Sequence, residues 1–243
     1  MVPDNWTSCI WRSKKRGDPS TLLGTNSWTS SEETLRYDSE SKNKKNKKMK
    51  VKEERTVLIV KPDGVKRGLV GEIVRRVEQR GLKVIGMKMI QADRKTVDQH
   101  LPKSQEWLEI LGNKSLEDYV KNKLDPNKYV RTTDPLKIGK MVREWLFEYW
   151  MSGPVVAVAI EGVHAIDMVR KIVGNTLPAK AEMGTIRGDY SVDSAVLANL
   201  EKRSVHNIVH ASGNPSEAKN ELNLWFSKKE IHAYRRAEEE IMF

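Results

Sequence analysis

The sequence predicts an α/β sandwich: a ferredoxin-like, four-stranded antiparallel sheet with covering helices. Three observations carry this. Four apolar runs have the length of strands and not of membrane spans. Stretches with helical apolar spacing lie between them. Their order is strand–helix–strand–helices–strand–helix–strand–helix, a split βαβ arrangement, and connection rules favour helices on one face of the sheet.

Residues 55–61, Arg-Thr-Val-Leu-Ile-Val-Lys, form the first predicted strand. Four consecutive apolar residues imply burial on both of its faces. Pro62-Asp63-Gly64 ends it in a tight turn, because proline cannot donate to a sheet ladder and glycine bends freely. Leu69, Ile73, Val74 and Val77 then recur at helical spacing, and Gly81 is the expected C-cap. Leu82 to Ile90 is a second strand and Arg94 to Leu101 a short helix. Residues 102–152 read as helical pieces. One stripe is Trp107, Leu108 and Leu111, and another is Leu116, Tyr119 and Val120. Asp134-Pro135 opens a longer helix, with Asp at the N-cap and Pro in the first turn. Its apolar stripe runs through Ile138, Met141, Val142, Trp145, Leu146 and Tyr149, most simply a core face.

Ser152-Gly153-Pro154 breaks that helix, and Val155 to Ile160 is a third buried strand. Glu161 to Val173 is the next predicted helix. Gly174 to Asp189 reads as a long connection, a kind of segment that is usually functional when it is ordered. Ser191 to Ser204 is partly helical, His206 to Val209 is the last strand, and Pro215 to Phe226 the helix after it.

Residues 1–50 show no such periodicity and end in Lys-rich sequence. They hold 11 Lys and Arg against 6 Asp and Glu, so half of the chain's net charge of +10 sits there. This stretch is expected to be a disordered basic extension beside one domain at 51–243. It is a solvated linker in the favoured reading, a grip on nucleic acid or an anionic membrane in another. A third reading starts translation at Met49. The single cysteine, Cys9, rules out an intramolecular disulfide and fits a reducing cytosol. No apolar run is long enough for a membrane span, and the first residues lack a signal-peptide pattern, so the expected location is cytoplasmic.

The P-loop, the G-x-G-x-x-G turn and the protein-kinase motifs are all absent. His206 and His210 have metal-like spacing, but Asn-Ile-Val between them favours a strand over the helix a zinc pair needs. What remains are cations and a histidine at element ends: Lys61, Arg170, Arg187 and His210, with Thr176 and Asn207 as neutral donors. Such a set suits phosphate, because fixed cations and oriented donors stabilise a transferring phosphoryl group. A neutral imidazole can attack phosphorus when an acceptor holds its other nitrogen. Glu221, in the helix after His210, is the best candidate for that acceptor.

These residues lie in segments that resemble the nucleoside diphosphate kinase family. The matching stretches are Glu54-Arg-Thr-Val-Leu-Ile-Val-Lys-Pro-Asp-Gly-Val65, Arg67-Gly-Leu-Val-Gly-Glu-Ile73, Ser152-Gly-Pro-Val-Val156, Gly184-Thr-Ile-Arg-Gly-Asp189, Asn207-Ile-Val-His-Ala-Ser212 and Glu221-Leu-Asn-Leu-Trp-Phe226. The resemblance implies a ferredoxin-like fold and Mg²⁺-dependent exchange of γ-phosphate between nucleoside di- and triphosphates through a phosphohistidine. Mg²⁺ would be held through the nucleotide phosphates, with ATP as a phosphoryl donor. By position, the resemblance makes His210 the nucleophile and Glu221 its orienting partner, with Ser212 beside both. It places Lys61, Arg170, Thr176, Arg187 and Asn207 on the phosphates and sugar, and Leu146 against the base. It also implies a homo-oligomer, a hexamer or tetramer. Three departures stand out. Leu101 occupies a place where the family often has tyrosine. Residues 102–148 are longer than in compact members, and residues 191–204 are an insertion, as in archaeal and related prokaryotic members. Two rival functions use the same sequence: a phosphohistidine protein that serves a protein acceptor, and a nucleic-acid binder acting through the basic tail.

Overall fold

The computed structural model describes residues 53–242. The expected disorder of residues 1–50 and the Met49 start lie outside the described residues.

Four strands form one antiparallel sheet in the order β2-β3-β1-β4: β1 (Glu53–Val60), β2 (Lys83–Ile90), β3 (Val155–Val163) and β4 (Val209–Ala211). The central pair, β1 and β3, runs from Glu53 opposite Val163 to Val60 opposite Val156. On the other side of β1, Ile59 stands opposite His210.

Helices cover both faces, not one. Leu58, Val60, Val158 and Ile160 point to a first core shared with α2 (Val70–Gln79) and α7 (Ala165–Val173). Val57, Ile59, Ala157 and Ala159 point to a second core. That core is closed by Phe147 and Trp150 of α6 (Pro135–Met151), Val97 of α3 (Arg94–His100) and Trp225 of α10 (Pro215–Trp225). The unbroken apolar runs in β1 and β3 demand this, since successive side chains point to opposite faces.

β3 extends three residues past the expected end at Ile160, so the helix expected from Glu161 begins at Ala165. Pairing across the sheet overrides the local helical pattern: Glu161 bridges Arg55 of β1 (2.7 Å) and Lys83 of β2 (2.9 Å). The turn after β1 is a short helix, α1 (Pro62–Lys66). The long connection after α7 contains a 3₁₀ turn at Pro178–Lys180 and a helix, α8 (Ile186–Tyr190), capped by the Thr185 hydroxyl.

Residues 102–152 are helical in three pieces, and the first two apolar stripes share one 17-residue helix, α4 (Gln105–Lys121), which α5 (Pro126–Tyr129) follows before α6. Val120, expected in the second stripe, is exposed. The helices α4 and α6 cross with almost no side-chain spacer. A Cβ on Gly112 would fall 1.8 Å from the Pro135 carbonyl oxygen, and one on Gly139 would fall 1.9 Å from that of Leu108. Only glycine permits this approach. α4 also meets α9 (Ala195–Leu200): Ser115 and Tyr119 donate to the Asn199 side chain and carbonyl, and Asn199 donates to Asp118. The two stretches read as separate insertions thus pack on each other.

Candidate active site

β4 is the edge strand next to β1, and alternation divides its residues. Val209 and Ala211 turn to the first core, while His210, opposite Ile59, turns to the second, aromatic one. The strand was expected at His206–Val209 but occupies Val209–Ala211, because the backbone at Ile208 is left-handed (φ +67°) and cannot join a strand. His210 therefore sits inside the strand. α10 follows, capped by the Asn214 side chain with Pro215 in its first turn, and carries Glu221 back over β4.

Glu221 grips His210. Both carboxylate oxygens lie on Nε2, at 2.8 and 2.9 Å. The Ser212 hydroxyl donates to Glu221 Oε2 at 2.6 Å, fixing the carboxylate. Among the described residues Nδ1 of His210 makes no hydrogen bond, so it is the nitrogen left for chemistry. Burial, then the nearby Lys61 and Arg187 charges, hold this imidazole well below its usual titration range, so it is neutral at pH 7.

Lys61 ends β1 and reaches the same place. Its Nζ donates to Asn207 Oδ1 (2.7 Å) and lies about 5 Å above the rings of Tyr149 (5.1 Å) and Trp150 (5.3 Å). Burial, with the Arg187 charge second, lowers its pKa to about 7. Asn207 is buried, and its amide nitrogen donates to the Thr176 carbonyl (2.9 Å). Thr176 thus joins the site by its backbone. Arg187, expected as a free phosphate-binding cation, is buried and spends its guanidinium on carbonyls: Nε on Asn207 (3.1 Å), Nη1 on Gly174 (2.9 Å) and Nη2 on Val209 (2.6 Å). It staples the long connection to β4 while lending the site its charge. Arg170 is exposed at the end of α7, with Nη1 beside Gly213. Leu146 is half-buried against the aromatic core, and Leu101 is buried within it.

Sequence reasoning missed four groups here. His100 lies edge-on to His210, with ring centroids 4.4 Å apart, and accepts from the Trp225 indole N–H at Nδ1 (3.3 Å). Trp150 packs against both histidines. Asp63 and Tyr149 share a 2.6 Å hydrogen bond behind Asn207. Asp63 had been spent on a turn and Tyr149 on a core stripe, and no local signal separates those uses from this one.

His100, His210 and Glu221 place three potential metal-ligand atoms within 4.8 Å of one another. Two imidazoles and one carboxylate do not suit Mg²⁺, which takes oxygen ligands and keeps water. Trp225 already occupies the His100 lone pair, and the carboxylate is committed to His210 and Ser212.

A ferredoxin-like sandwich that presents an oriented, neutral histidine beside buried cations defines a phosphotransferase-type protein. The nucleoside diphosphate kinase profile matches residues 54–108 and 136–231, and the chain belongs to that family. A nucleoside diphosphate kinase from Pyrobaculum aerophilum is 46% identical over 178 residues, covering 73% of this chain and 97% of the relative. The crystal structure of an NDP kinase from that organism superposes with a TM-score of 0.72 at 44% identity, covering 75% of this chain and all of that one. The Borrelia burgdorferi nucleoside-diphosphate kinase, solved as a transition-state mimic with bound vanadate and ADP, superposes with a TM-score of 0.60 at 34% identity, covering 77% and 95%. The protein is an enzyme of this family, and its reaction class is phosphoryl transfer between nucleotides. The unmatched residues 109–135 fall within the stretch read as longer than in compact members and form most of α4 and all of α5. Among the described residues, no helix is long and apolar enough to cross a membrane.

Proposed function

We propose that the enzyme exchanges γ-phosphate by a ping-pong route through a phosphohistidine at Nδ1 of His210. The observation that carries this is the forked hydrogen bond that the Nε2–H of His210 donates to both Glu221 oxygens, which fixes the tautomer and leaves the Nδ1 lone pair unbonded among the described residues. Nδ1 attacks the γ-phosphorus of ATP. The bond from phosphorus to the bridging oxygen breaks, and the diphosphate leaves with that electron pair. In the second half, a terminal oxygen of an acceptor diphosphate attacks the phosphorus and Nδ1 departs with its pair.

Phosphorylation makes the ring cationic, and the buried Glu221 carboxylate stabilises that charge through Nε2. Lys61 and Arg170 are the cations free to meet phosphate oxygens, while Asn207 and Thr176 shape the phosphate and sugar subsite. Arg187 adds charge without moving. Lys61, at a pKa of about 7, becomes firmly cationic when a polyphosphate anion arrives. Mg²⁺ would be held by the nucleotide's own phosphate oxygens and would supply charge to offset them, since the described residues offer no oxygen-ligand set for it. Leu146 contacts the base, and such an apolar contact discriminates poorly between bases. The domain spans residues 51–243, acts in the cytoplasm and assembles as a homo-oligomer, a hexamer or tetramer.

Incubation with γ-labelled ATP tests this. Label should appear at residue 210 and be released by any nucleoside diphosphate. A His210→Gln protein that is labelled like the wild type, or a label no diphosphate removes, overturns the reading.

A further inference from the structure

Ile208 and Val209 are neighbours, yet both pack in the first core. Successive residues of a straight strand cannot do this, because they face opposite ways. The left-handed backbone at Ile208 (φ +67°) makes it happen, closed by a bond from the Val209 amide to the Asn207 carbonyl (2.7 Å). This is the rare, strained form of γ-turn, on a β-branched residue that disfavours positive φ. Were it to relax into extended chain, Ile208 and His210 would share a face, and one of them would leave its core.

The surroundings hold the turn at nearly every polar atom. The Ile208 amide donates to Asp63 Oδ2 (3.1 Å), and the Ile208 carbonyl accepts from the Lys61 amide (2.8 Å). The Asn207 amide donates to the Tyr149 hydroxyl (3.2 Å), which donates in turn to Asp63 Oδ1 (2.6 Å). Strain of this kind persists only where neighbours over-determine it, and it concentrates at functional sites.

We propose that Tyr149 and Asp63 are positioning residues for phosphoryl transfer. They clamp the turn at Ile208, and the turn delivers His210 to Glu221 and Asn207 to Lys61. This rests on His210 as the phosphoryl acceptor. The same Tyr149 ring backs the Lys61 ammonium, so the nucleophile and the phosphate-binding cation are registered by one side chain.

The test uses full-length Tyr149→Phe and Asp63→Asn proteins. The first keeps the ring and removes the hydroxyl. The second keeps an acceptor for the Ile208 amide but sets an N–H against the tyrosine hydroxyl. Three readouts apply: the first-order rate of labelling by saturating ATP, the half-saturating ATP concentration, and the His210 tautomer by nitrogen NMR of histidine-labelled protein. Both variants should label roughly ten- to a hundredfold more slowly, since displacement by about an ångström costs that much. Half-saturation should change much less, and His210 should lose its pure Nε2–H signature. Wild-type rates with a wild-type tautomer overturn the proposal, whatever the melting temperatures. Failure of both proteins to fold overturns it as well, because the pair then serves the fold and not the transfer. If one folds, that one decides. A wild-type protein that takes no label would instead sink the phosphohistidine reading itself.

Discussion

The two faces of the sheet are built from different residues and do different work. The face under α2 and α7 is aliphatic: Leu58, Val60, Ile73, Val77, Val158, Ile160 and Val169 fill it. The face under α3, α6 and α10 carries Phe147, Trp150, Trp225 and Phe226, with two histidines wedged among the rings. Aliphatic packing asks only for shape and apolar area, so it can hold the strands without touching the chemistry. The aromatic face supplies rigid walls, an indole donor from Trp225 and a low-polarity surround where a charge is costly unless paired. Each strand belongs to both faces, so a single residue step along β4 separates Val209 of the aliphatic core from His210, the proposed nucleophile.

The sharpest break of this contrast is His210→Gln. Exchange should fall by roughly four orders of magnitude or more, while the melting temperature stays near the wild-type value, as seen by coupled assay and calorimetry. Leu58→Ala, on the opposite face of the neighbouring strand, should do the reverse. It should cost about 2–5 kcal/mol of stability in denaturant titration while leaving kcat of the folded enzyme unchanged at low temperature. If it slows transfer as much as it destabilises, the division of labour between the faces is wrong.

Glu221→Gln should bind nucleotide normally but slow phosphorylation by about 10- to 100-fold. An amide can still touch Nε2 but cannot balance the cationic ring. Stopped quench-flow labelling checks it, and an unchanged rate would reduce Glu221 to packing.

The smallest effect concerns pH. Burial lowers His100 to about 3, and His210 is lowered as well, against an unfolded value near 6.5. Between those limits the unfolded chain binds more protons, so stability is complete above about pH 6.5 and declines as pH falls toward 3. The His100 imidazole, with its side chain 2% exposed, should cost on the order of 2 kcal/mol at pH 5, and the partly exposed His210 less. Denaturant midpoints of His210→Gln should therefore fall less steeply than wild type between pH 6.5 and 5. Equal slopes would mean the aromatic face is wetter than its packing implies. No such histidine lies in the aliphatic core.

Much of this was legible without coordinates. The apolar runs of β1 and β3, the Asp134 cap with Pro135 behind it, and the helix starting at Pro215 are short-range signals, each written within a few neighbouring residues. Where reading failed, a distant partner had overruled a local pattern. Glu161 looks like a helix start until Arg55 and Lys83 claim it for the sheet. Arg187 looks like a free cation until three carbonyls from the long connection and β4 take its guanidinium.

The order of the main strands and helices and the apolar runs of the two central strands follow from the sequence alone, because hydrophobic period and turn chemistry act over neighbouring residues. Folding in three dimensions decided the remainder. It brought Asp63 to Tyr149 across 86 residues and Lys61 to Asn207 across 146. It stood His100 against His210 and packed protein around Lys61 and both rings, so that burial and neighbouring charge lower the proton affinities of a lysine and two histidines. Burial and long-range contact exist only once the chain has closed on itself, and no local pattern encodes them.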